Sequence, residues 1–226
     1  MRIREAKGVE DLAALHGVFT AIWGERGSPE VHLLRAVHHA GGYAALAEAE
    51  DGTVLGASFG FLGGEPNLHL HSHITGVLPD AQNRHVGFEL KQHQRRWCMQ
   101  RAIPRIRWTF DPLVRRNAWF NLRRLGAVVE SYHPDFYGEM HDAVNAGDHS
   151  DRFVVRWDVD ATPPDGEPDV PEGALLHALP EDIVALRADD PSEAQRQRLA
   201  LRDALAQRDV SGITRAGEYV LVRRDG

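Results

Sequence analysis

Residues 68–90 read LHLHSHITGVLPDAQNRHVGFEL and combine three local patterns. Apolar and polar residues alternate up to about Val77, which predicts a β-strand that ends before Pro79. Residues 82–87 then lead into a helical pattern. The first turn of a helix presents N–H groups without intrahelical partners at the positive end of the helix dipole. The stretch therefore predicts a strand, loop and helix that can seat a phosphate or diphosphate, with Gly87 allowing close approach.

The same residues resemble the signature of a known family. Val77-Leu78-Pro79 followed by Gln82-x-x-His85-x-Gly87 is similar to the acyl-CoA-binding signature of the GNAT N-acyltransferases, V-x-P and then Q/R-x-x-G-x-G/A. His85 departs from that pattern, because the family usually has its first glycine there. The resemblance implies that backbone groups near Val77 and Leu78 hold the pantetheine arm of acyl-CoA. It also implies that the cofactor diphosphate lies against the following six residues: Gln82, Asn83, Arg84, His85, Val86 and Gly87.

The composition is that of an ordinary globular protein. Of the 226 residues, 42% are hydrophobic and 26% are charged. The net charge of −7 argues against a general nucleic-acid binder. The single cysteine, Cys98, excludes internal disulfides and fits a reducing compartment. No stretch approaches the roughly 20 apolar residues of a membrane span, and the N-terminus lacks a signal pattern. We therefore expect a cytoplasmic protein that binds neither nucleic acid nor a membrane.

The order of the predicted elements supports the resemblance more strongly than the short signature does. Strands are predicted at 2–6, 43–49, 53–62, 68–77, 106–110, 127–132 and 152–159, and helices at 11–23, 28–39, 84–102 and 111–126. Ser28 and Asp111, each followed by proline, are predicted to cap helices. This order is similar to that of the GNAT fold. We therefore expect a mixed α/β (α+β) GNAT domain over residues 1–159.

Residues 160–226 are expected to form a C-terminal α/β extension. A spacer rich in Asp, Pro and Gly precedes a short apolar run at 174–179, a helix at 191–208 and a strand at 219–222. So short a segment has little capacity for an independent core. It should therefore pack on the main domain or on a partner subunit. A homodimer is a possible assembly, because many GNAT proteins pair in this way.

The resemblance implies that an amine attacks the acyl-CoA thioester directly, which needs a general base and a proton for the leaving thiolate. His71 and His73 are candidate bases, because the family's base often comes from this strand. Leu122 lies where the family usually has a tyrosine acid. Tyr132 and Asn121 are therefore the candidate proton donors. Two alternatives stay open: Tyr137 is the donor, or the reaction needs no dedicated acid because CoA thiolate is a fair leaving group.

Polar residues on the helices supply further candidates. Asn117 and Asn121 lie four residues apart and could hydrogen-bond the pantetheine arm of the cofactor. Arg84, Lys91, Arg95 and Arg96 are expected on an exposed basic face, where Arg84 or Lys91 could touch a cofactor phosphate.

Three residues are candidates for substrate binding. Arg115 and Arg116 could bind a carboxylate of the acyl group or of the acceptor. Asp111 could orient the amine, although helix capping also explains it. Residues 108–113, 116–118, 121–126 and 135–138 resemble a GNAT subgroup that N-acylates amino acids, including by succinyl transfer.

The predicted function is transfer of an acetyl or succinyl-like group from acetyl-CoA or succinyl-CoA to the amine of a small molecule, with an amino acid as the expected acceptor and without a metal. One alternative is an acyl-CoA-binding module of the same fold that does not turn over. The other is a metal-dependent hydrolase, because His69, His71 and His73 alternate on one face of the strand.

Overall fold

The computed structural model describes residues 1–140 and 148–224. The described chain divides into two compact units, which are taken separately below. The first comprises Met1–Trp108, and the second comprises Thr109–Met140 together with 148–224. The predicted division into 1–159 and 160–226 remains a prediction, and residues on both sides of that boundary share the second unit.

The first unit is built on a mixed sheet. Its strands are β1 (Arg2–Glu5), β2 (Tyr43–Glu48), β3 (Val54–Gly63), β4 (His69–Val77) and the larger part of β5 (Arg105–Phe110). Its helices are α1 (Val9–Trp23), α2 (Val31–His39) and α3 (Val86–Gln100). The strands lie in the order β1-β2-β3-β4-β5. Neighbours from β1 to β4 are antiparallel, whereas β4 and β5 are parallel. The mixed sheet confirms the predicted fold class.

The core of the first unit forms where α1 packs on the sheet. Leu12, Leu15 and Phe19 recur at three- and four-residue steps and are fully buried. They belong to one hydrophobic cluster with Leu46 and Phe59 of the sheet. Complete burial of such a side chain stabilises the fold by about 1.5–3 kcal/mol, so the periodicity of α1 fixes which of its faces meets the sheet.

The predicted start of α2 is wrong. The helix begins at Val31 and is preceded by Glu30, whose side chain makes no capping hydrogen bond. The Ser28 hydroxyl lies 2.8 Å from Nδ1 of His16, so it contacts α1 instead of capping α2. Ser28 and Pro29 therefore precede the helix, but Ser28 does not cap it and Pro29 is not in its first turn.

The second unit carries the remaining elements. They are α4 (Arg115–Trp119), which continues as a π-helical turn (Phe120–Arg124), β6 (Val128–His133), β7 (Arg152–Asp158), β8 (Leu175–Ala178), α5 (Ile183–Asp189), α6 (Pro191–Leu205), β9 (Arg208–Ile213) and β10 (Glu218–Arg223). Strands β6 and β7 are antiparallel. The other three form an antiparallel sheet in the order β8-β10-β9.

Three features of the second unit differ from the sequence predictions. Helix α4 begins at Arg115, and Asp111 accepts a hydrogen bond from the Leu113 N–H at 3.0 Å, so Asp111 forms a local turn and does not cap α4. Helix α5 and strand β9 were not predicted. Asp182 caps α5 by accepting from the Val184 N–H at 2.9 Å.

Membrane topology can be assessed for the described ranges 1–140 and 148–224. In them, no helix combines the length and the apolar character that crossing a bilayer requires.

Candidate functional site

The loop between β4 and α3 has the shape that the sequence predicted. A 3₁₀ turn (Pro79–Ala81) follows β4, residues 82–85 form an exposed turn, and α3 starts at Val86. Val86 and Leu90 are buried beside Ala81, which anchors the first turn of α3. The loop is therefore exposed to solvent but held in place at the end that opens the helix.

The backbone at His85 explains why the family signature has glycine there. His85 has φ 60° and ψ 8°, and Asn83 has φ 62°, so both lie in the left-handed region. A non-glycine residue pays about 1–2 kcal/mol for this conformation. His85 therefore adopts the backbone conformation that suits glycine, and this conformation costs more free energy for histidine than it would for glycine.

Gly87 lies in the first turn of α3, and the surrounding protein does not require it to be glycine. A Cβ at this position would meet only the Val77 Cγ2 atom, at 3.6 Å, which is an ordinary van der Waals contact. Its φ is not among the positive values of the chain. Any need for glycine at this position must therefore come from a group that approaches the helix terminus closely.

Strand β4 diverges from β5 along its length. The two strands pair at Leu70 with Ile106 and at His71 with Arg107. Beyond these pairs β4 continues to Val77, and along the other edge it stays paired with β3. Within the first unit, the segment 72–77 therefore has no pairing with β5. A strand edge without a paired neighbour presents backbone N–H and C=O groups to which an extended ligand, such as the predicted pantetheine arm, could hydrogen-bond.

His71 is neutral at physiological pH. Its ring stacks on Phe61 with centroids 4.8 Å apart. Burial lowers the pKa of His71 to about 4, and the nearby charges of His73, His69 and basic residues act in the same direction. Desolvation also lowers the pKa of His73, although that side chain reaches solvent. Both imidazoles can accept a proton, but His71 is a weak base.

His69 does not join the other two histidines in a metal site. It is buried, and its Nδ1 lies 2.8 Å from the Asn67 carbonyl oxygen. Within residues 1–140 and 148–224, no three His, Cys, Asp or Glu side chains are grouped so that they could hold a metal ion. This geometry disfavours the hydrolase alternative, which needed the three histidines as a ligand set.

The prediction that Lys91 lies on an exposed basic face is wrong. Lys91 is 5% exposed, its Nζ donates to Ser72 Oγ at 2.8 Å, and it lies 3.9 Å from the Trp108 ring centroid. Gln94 also donates to Ser72, at 2.9 Å. Burial lowers the pKa of Lys91 to about 7. Lys91 therefore supports β4 from inside the first unit and does not reach a cofactor phosphate at the surface.

The two asparagines lie in different environments of the second unit. Asn117 of α4 is exposed, whereas Asn121 is 4% exposed and lies in the π-helical turn. The wider turn changes the four-residue spacing that was predicted from a regular helix. Leu122, at the family's usual tyrosine position, is buried. The roles of both asparagines in cofactor binding or catalysis stay predictions.

Tyr132 makes a contact that weakens it as an acid. Its hydroxyl donates to the Asp151 carboxylate. Burial, followed by this hydrogen bond, raises the pKa of Tyr132 above its ordinary value. Arg202 holds the same carboxylate, with its Nη2 2.6 Å from Asp151 Oδ1. The geometry favours a structural role for Tyr132 over proton donation to a thiolate.

Asp111 has two arginine partners. Its carboxylate accepts from Arg198 at 3.0 and 3.1 Å and also from Arg187. Burial alone would raise the pKa of Asp111, but the charges and hydrogen bonds of Arg198 and Arg187 hold it below its usual value. Asp148 joins the cluster by accepting from Arg187 Nε at 2.7 Å. This arrangement favours a structural role over the predicted contact with an amine.

The sequence contained an unused signal for this cluster. In α6, Ala194, Arg198, Leu201 and Leu205 are buried and follow a helical repeat. An arginine within an otherwise apolar stripe indicates a buried cation with a partner. The partners, Asp111 and Asp148, are distant in the sequence and could not be identified from it.

Arg115 and Arg116 line an open cleft of the second unit with Trp119. Of the predicted site residues, the 82–87 loop, Val77, Leu78, His71 and His73 belong to the first unit. The others lie in the second unit: Asp111, Arg115, Arg116, Asn117, Asn121 and Tyr132.

Comparisons with known proteins give a clear result for structure and none for sequence. No protein-family model matches the chain, and no curated protein matches it. A GNAT-superfamily phosphinothricin acetyltransferase from Sinorhizobium meliloti, solved with AcCoA, matches with a TM-score of 0.56 and 15% identity, over 73% of this chain and 94% of that one. The Escherichia coli ribosomal-protein-S18-alanine N-acetyltransferase matches with a TM-score of 0.57 and 10% identity, over 73% and 97%.

A third structure extends this result to a plant protein. Arabidopsis thaliana Naa50, bound to the bisubstrate analogue CoA-Ac-MVNAL, matches with a TM-score of 0.56 and 16% identity, over 69% of this chain and 96% of that one. The chain therefore has the GNAT acetyltransferase fold, which confirms the fold predicted from the 68–90 stretch. The narrower resemblance to amino-acid N-acylating enzymes stays a prediction.

Proposed function

We propose that this protein is an acyl-CoA-dependent N-acyltransferase that moves an acetyl or succinyl-like group from CoA to the amine of a small molecule, with amino acids as the first acceptors to test. The observation that carries the proposal is the 82–87 loop. It is exposed, takes left-handed conformations at Asn83 and His85, and opens the fifteen-residue helix α3. The similar structures with AcCoA or a CoA analogue support the same cofactor.

The loop has the chemistry that a diphosphate needs. The N–H groups of the first turn of α3 point away from the helix body and lie at the positive end of its dipole. Arg84 is exposed on the same loop and adds a cation. Hydrogen bonds from backbone N–H to a charged oxygen are roughly twice as strong as neutral ones. The segment 72–77, which diverges from β5, would hold the pantetheine arm through its backbone groups.

In the proposed reaction the acceptor nitrogen attacks the thioester carbonyl. The N–C bond forms, the C–S bond breaks, and CoA leaves as a thiolate. The acceptor must arrive as a neutral amine, and its nitrogen becomes acidic as the N–C bond forms. At that stage a neutral imidazole, His71 or His73, can accept the proton. Cys98 does not compete as a nucleophile, because burial raises the pKa of its thiol to about 12.

A non-catalytic acyl-CoA-binding module is the second candidate. The buried Leu122 at the usual tyrosine position favours it, and so does the engagement of Tyr132 by Asp151. Both candidates bind acyl-CoA, and only the enzyme releases free CoA when an amine is added.

Thermal melting with acetyl-CoA, succinyl-CoA, longer acyl-CoA and free CoA tests the shared step. A ligand that binds only the folded state raises the melting temperature. At 100 times its dissociation constant, such a ligand raises the free energy of unfolding by about 2.7 kcal/mol. A rise with acyl-CoA supports the proposal and selects the acyl group for turnover assays. No rise with any of these ligands at saturating concentration would contradict both candidates.

A further inference from the structure

The second unit contains an open cleft with a volume of about 370 Å³. All the residues that line it belong to the second unit, whereas the 82–87 loop belongs to the first. Its lining combines three arginines with aromatic, aliphatic and acidic groups: Arg115, Arg116, Trp119, Glu181, Ile213, Arg215 and Gly217. We call this the arginine cleft.

Two of its cations are available to a ligand. Within residues 1–140 and 148–224, neither Arg115 nor Arg116 has an ion-pair or hydrogen-bond partner. The buried or half-buried arginines 187, 198 and 202 of the same unit are all paired with aspartates. In a protein with a net charge of −7, two adjacent unpaired guanidinium groups in a cleft are a local excess of positive charge.

The position of Arg115 is built into the fold. Gly217 lies in the turn between β9 and β10 with φ +81°, a conformation that favours glycine. A Cβ at this position would collide with the Arg115 side chain. The side chain of Arg115 therefore uses the space that glycine leaves, and the turn holds it partly buried. Such restraint lowers the entropy that the side chain would lose on binding a ligand.

The cleft also offers an apolar surface beside the charges. The half-buried Trp119 and the buried Ile213 both line the cleft. Arg215 already pairs with Glu167, with its Nε 3.0 Å from Oε1, and both groups are exposed. It therefore adds charge at the rim, while Arg115 and Arg116 supply the free hydrogen-bond donors.

From this juxtaposition we propose that the arginine cleft binds a small molecule that carries a carboxylate or phosphate group next to a flat apolar part. A guanidinium presents paired donors that match both oxyanions, and the tryptophan face packs against a flat ring. The role predicted for Arg115 and Arg116, holding a carboxylate of the acyl group or of the acceptor, is one case of this binding. The inference itself is argued from the cleft and stands without acyl transfer, because its test uses neither acyl-CoA nor the 82–87 loop.

Isothermal titration calorimetry of the full chain without acyl-CoA tests this inference. The probes are two matched pairs: phenylacetate with acetate, and phenyl phosphate with inorganic phosphate. We expect at least one ring-bearing probe to bind at least tenfold more tightly than its ring-free partner, and the tighter ring-bearing probe identifies the oxyanion that the cleft prefers. Added salt should weaken the binding, because the arginines are accessible to solvent.

Two double variants decide whether the cleft is responsible. Replacing Arg115→Gln and Arg116→Gln should weaken the best probe at least tenfold. Replacing Arg35→Gln and Arg223→Gln removes the same charge from exposed positions outside the cleft and should leave binding unchanged. Should the first double variant fail to fold, the exposed single change Arg116→Gln takes its place with an expected loss of at least threefold.

A further variant tests the apolar surface. Trp119→Leu should abolish the preference for the ring-bearing probe over its ring-free partner. The inference is overturned if the wild-type protein binds none of the four probes at a probe concentration of about 10 mM, because the dissociation constant would then be well above 1 mM. It is equally overturned if the cleft variant binds as the wild type does, or if the control variant loses as much affinity as the cleft variant. Loss of acyl-CoA binding alone would leave the inference intact and would contradict only the proposed transferase.

Discussion

Changing Gly87→Ala separates the stability of the fold from the binding of the cofactor. The added Cβ meets only the Val77 Cγ2 atom at 3.6 Å, so the folded protein accommodates it. Alanine also restricts the unfolded chain and favours the helix, which together stabilise a protein by about 0.4–1 kcal/mol. We therefore expect the free energy of unfolding of the apo protein to stay constant or to rise by up to about 1 kcal/mol.

Binding of acyl-CoA should respond in the opposite direction. If the diphosphate lies against the first turn of α3, the methyl group prevents its closest approach to the N–H groups of that turn. Hydrogen bonds to charged groups contribute about 1.5–3 kcal/mol each. Loss of one such bond corresponds to an affinity for acetyl-CoA that is weaker by roughly tenfold to 150-fold.

The assay is isothermal titration with acetyl-CoA beside urea unfolding of the apo protein. Gly17→Ala is the matched control, because Gly17 lies on the exposed face of α1 and an added Cβ there meets no atom within 4 Å. This control should be stabilised similarly and should bind as the wild type does. A Gly87→Ala protein that binds acetyl-CoA with unchanged affinity would refute the assignment of the diphosphate to this loop.

Three further predictions follow from side chains described above. Arg198→Met should lower the free energy of unfolding, measured in urea, by about 3–5 kcal/mol, because Asp111 and Asp148 lose a buried partner. The control Arg196→Met changes an exposed arginine and should cost less than about 0.5 kcal/mol. Lys91 has a folded pKa of about 7, below its unfolded value near 10.4. The unfolded chain therefore binds more protons above pH 7, and stability should rise by up to about 1.4 kcal/mol per pH unit until about pH 10. Lys91→Met should remove this rise, and an equal slope in both proteins would show that Lys91 is not its source. His71→Ala should lower kcat by about 100-fold or more if His71 is the base; wild-type kcat/KM should show no titration from His71 between pH 6 and 8, because its pKa is about 4.

The local structure of the segment proposed to hold the cofactor was predictable because its signals are local. Alternation ending before Pro79 and a helical pattern after Gly87 define a strand, a turn and a helix within one short segment. The left-handed conformation of His85 was not predictable, because sequence shows only that glycine is missing. The free-energy cost of this conformation is offset by the packing of the first turn of α3, which holds the loop in place.

Errors arose where distant segments decide the outcome. Lys91 was expected to be exposed, but Ser72 and Trp108 enclose it, and neither is near it in the sequence. Asp111 was interpreted as a cap from the local Asp-Pro pattern. Its arginine partners come from helices α5 and α6, so the local sequence did not reveal them. Long-range ion pairs of this kind have no local pattern, although the position of Arg198 within an apolar stripe indicated that one existed.

The most direct test of the central claim is release of free CoA when the protein is mixed with an acyl-CoA and an amine. Acetyl-CoA and succinyl-CoA should each be tested with a panel of amino acids, with thiol release followed optically and the acylated product identified by mass spectrometry. We predict that CoA is released only when an amine is present. His71→Ala should lower kcat, and Gly87→Ala should raise KM for acyl-CoA. Binding of acyl-CoA without amine-dependent release for any acceptor would contradict the enzyme and would favour the non-catalytic binding module.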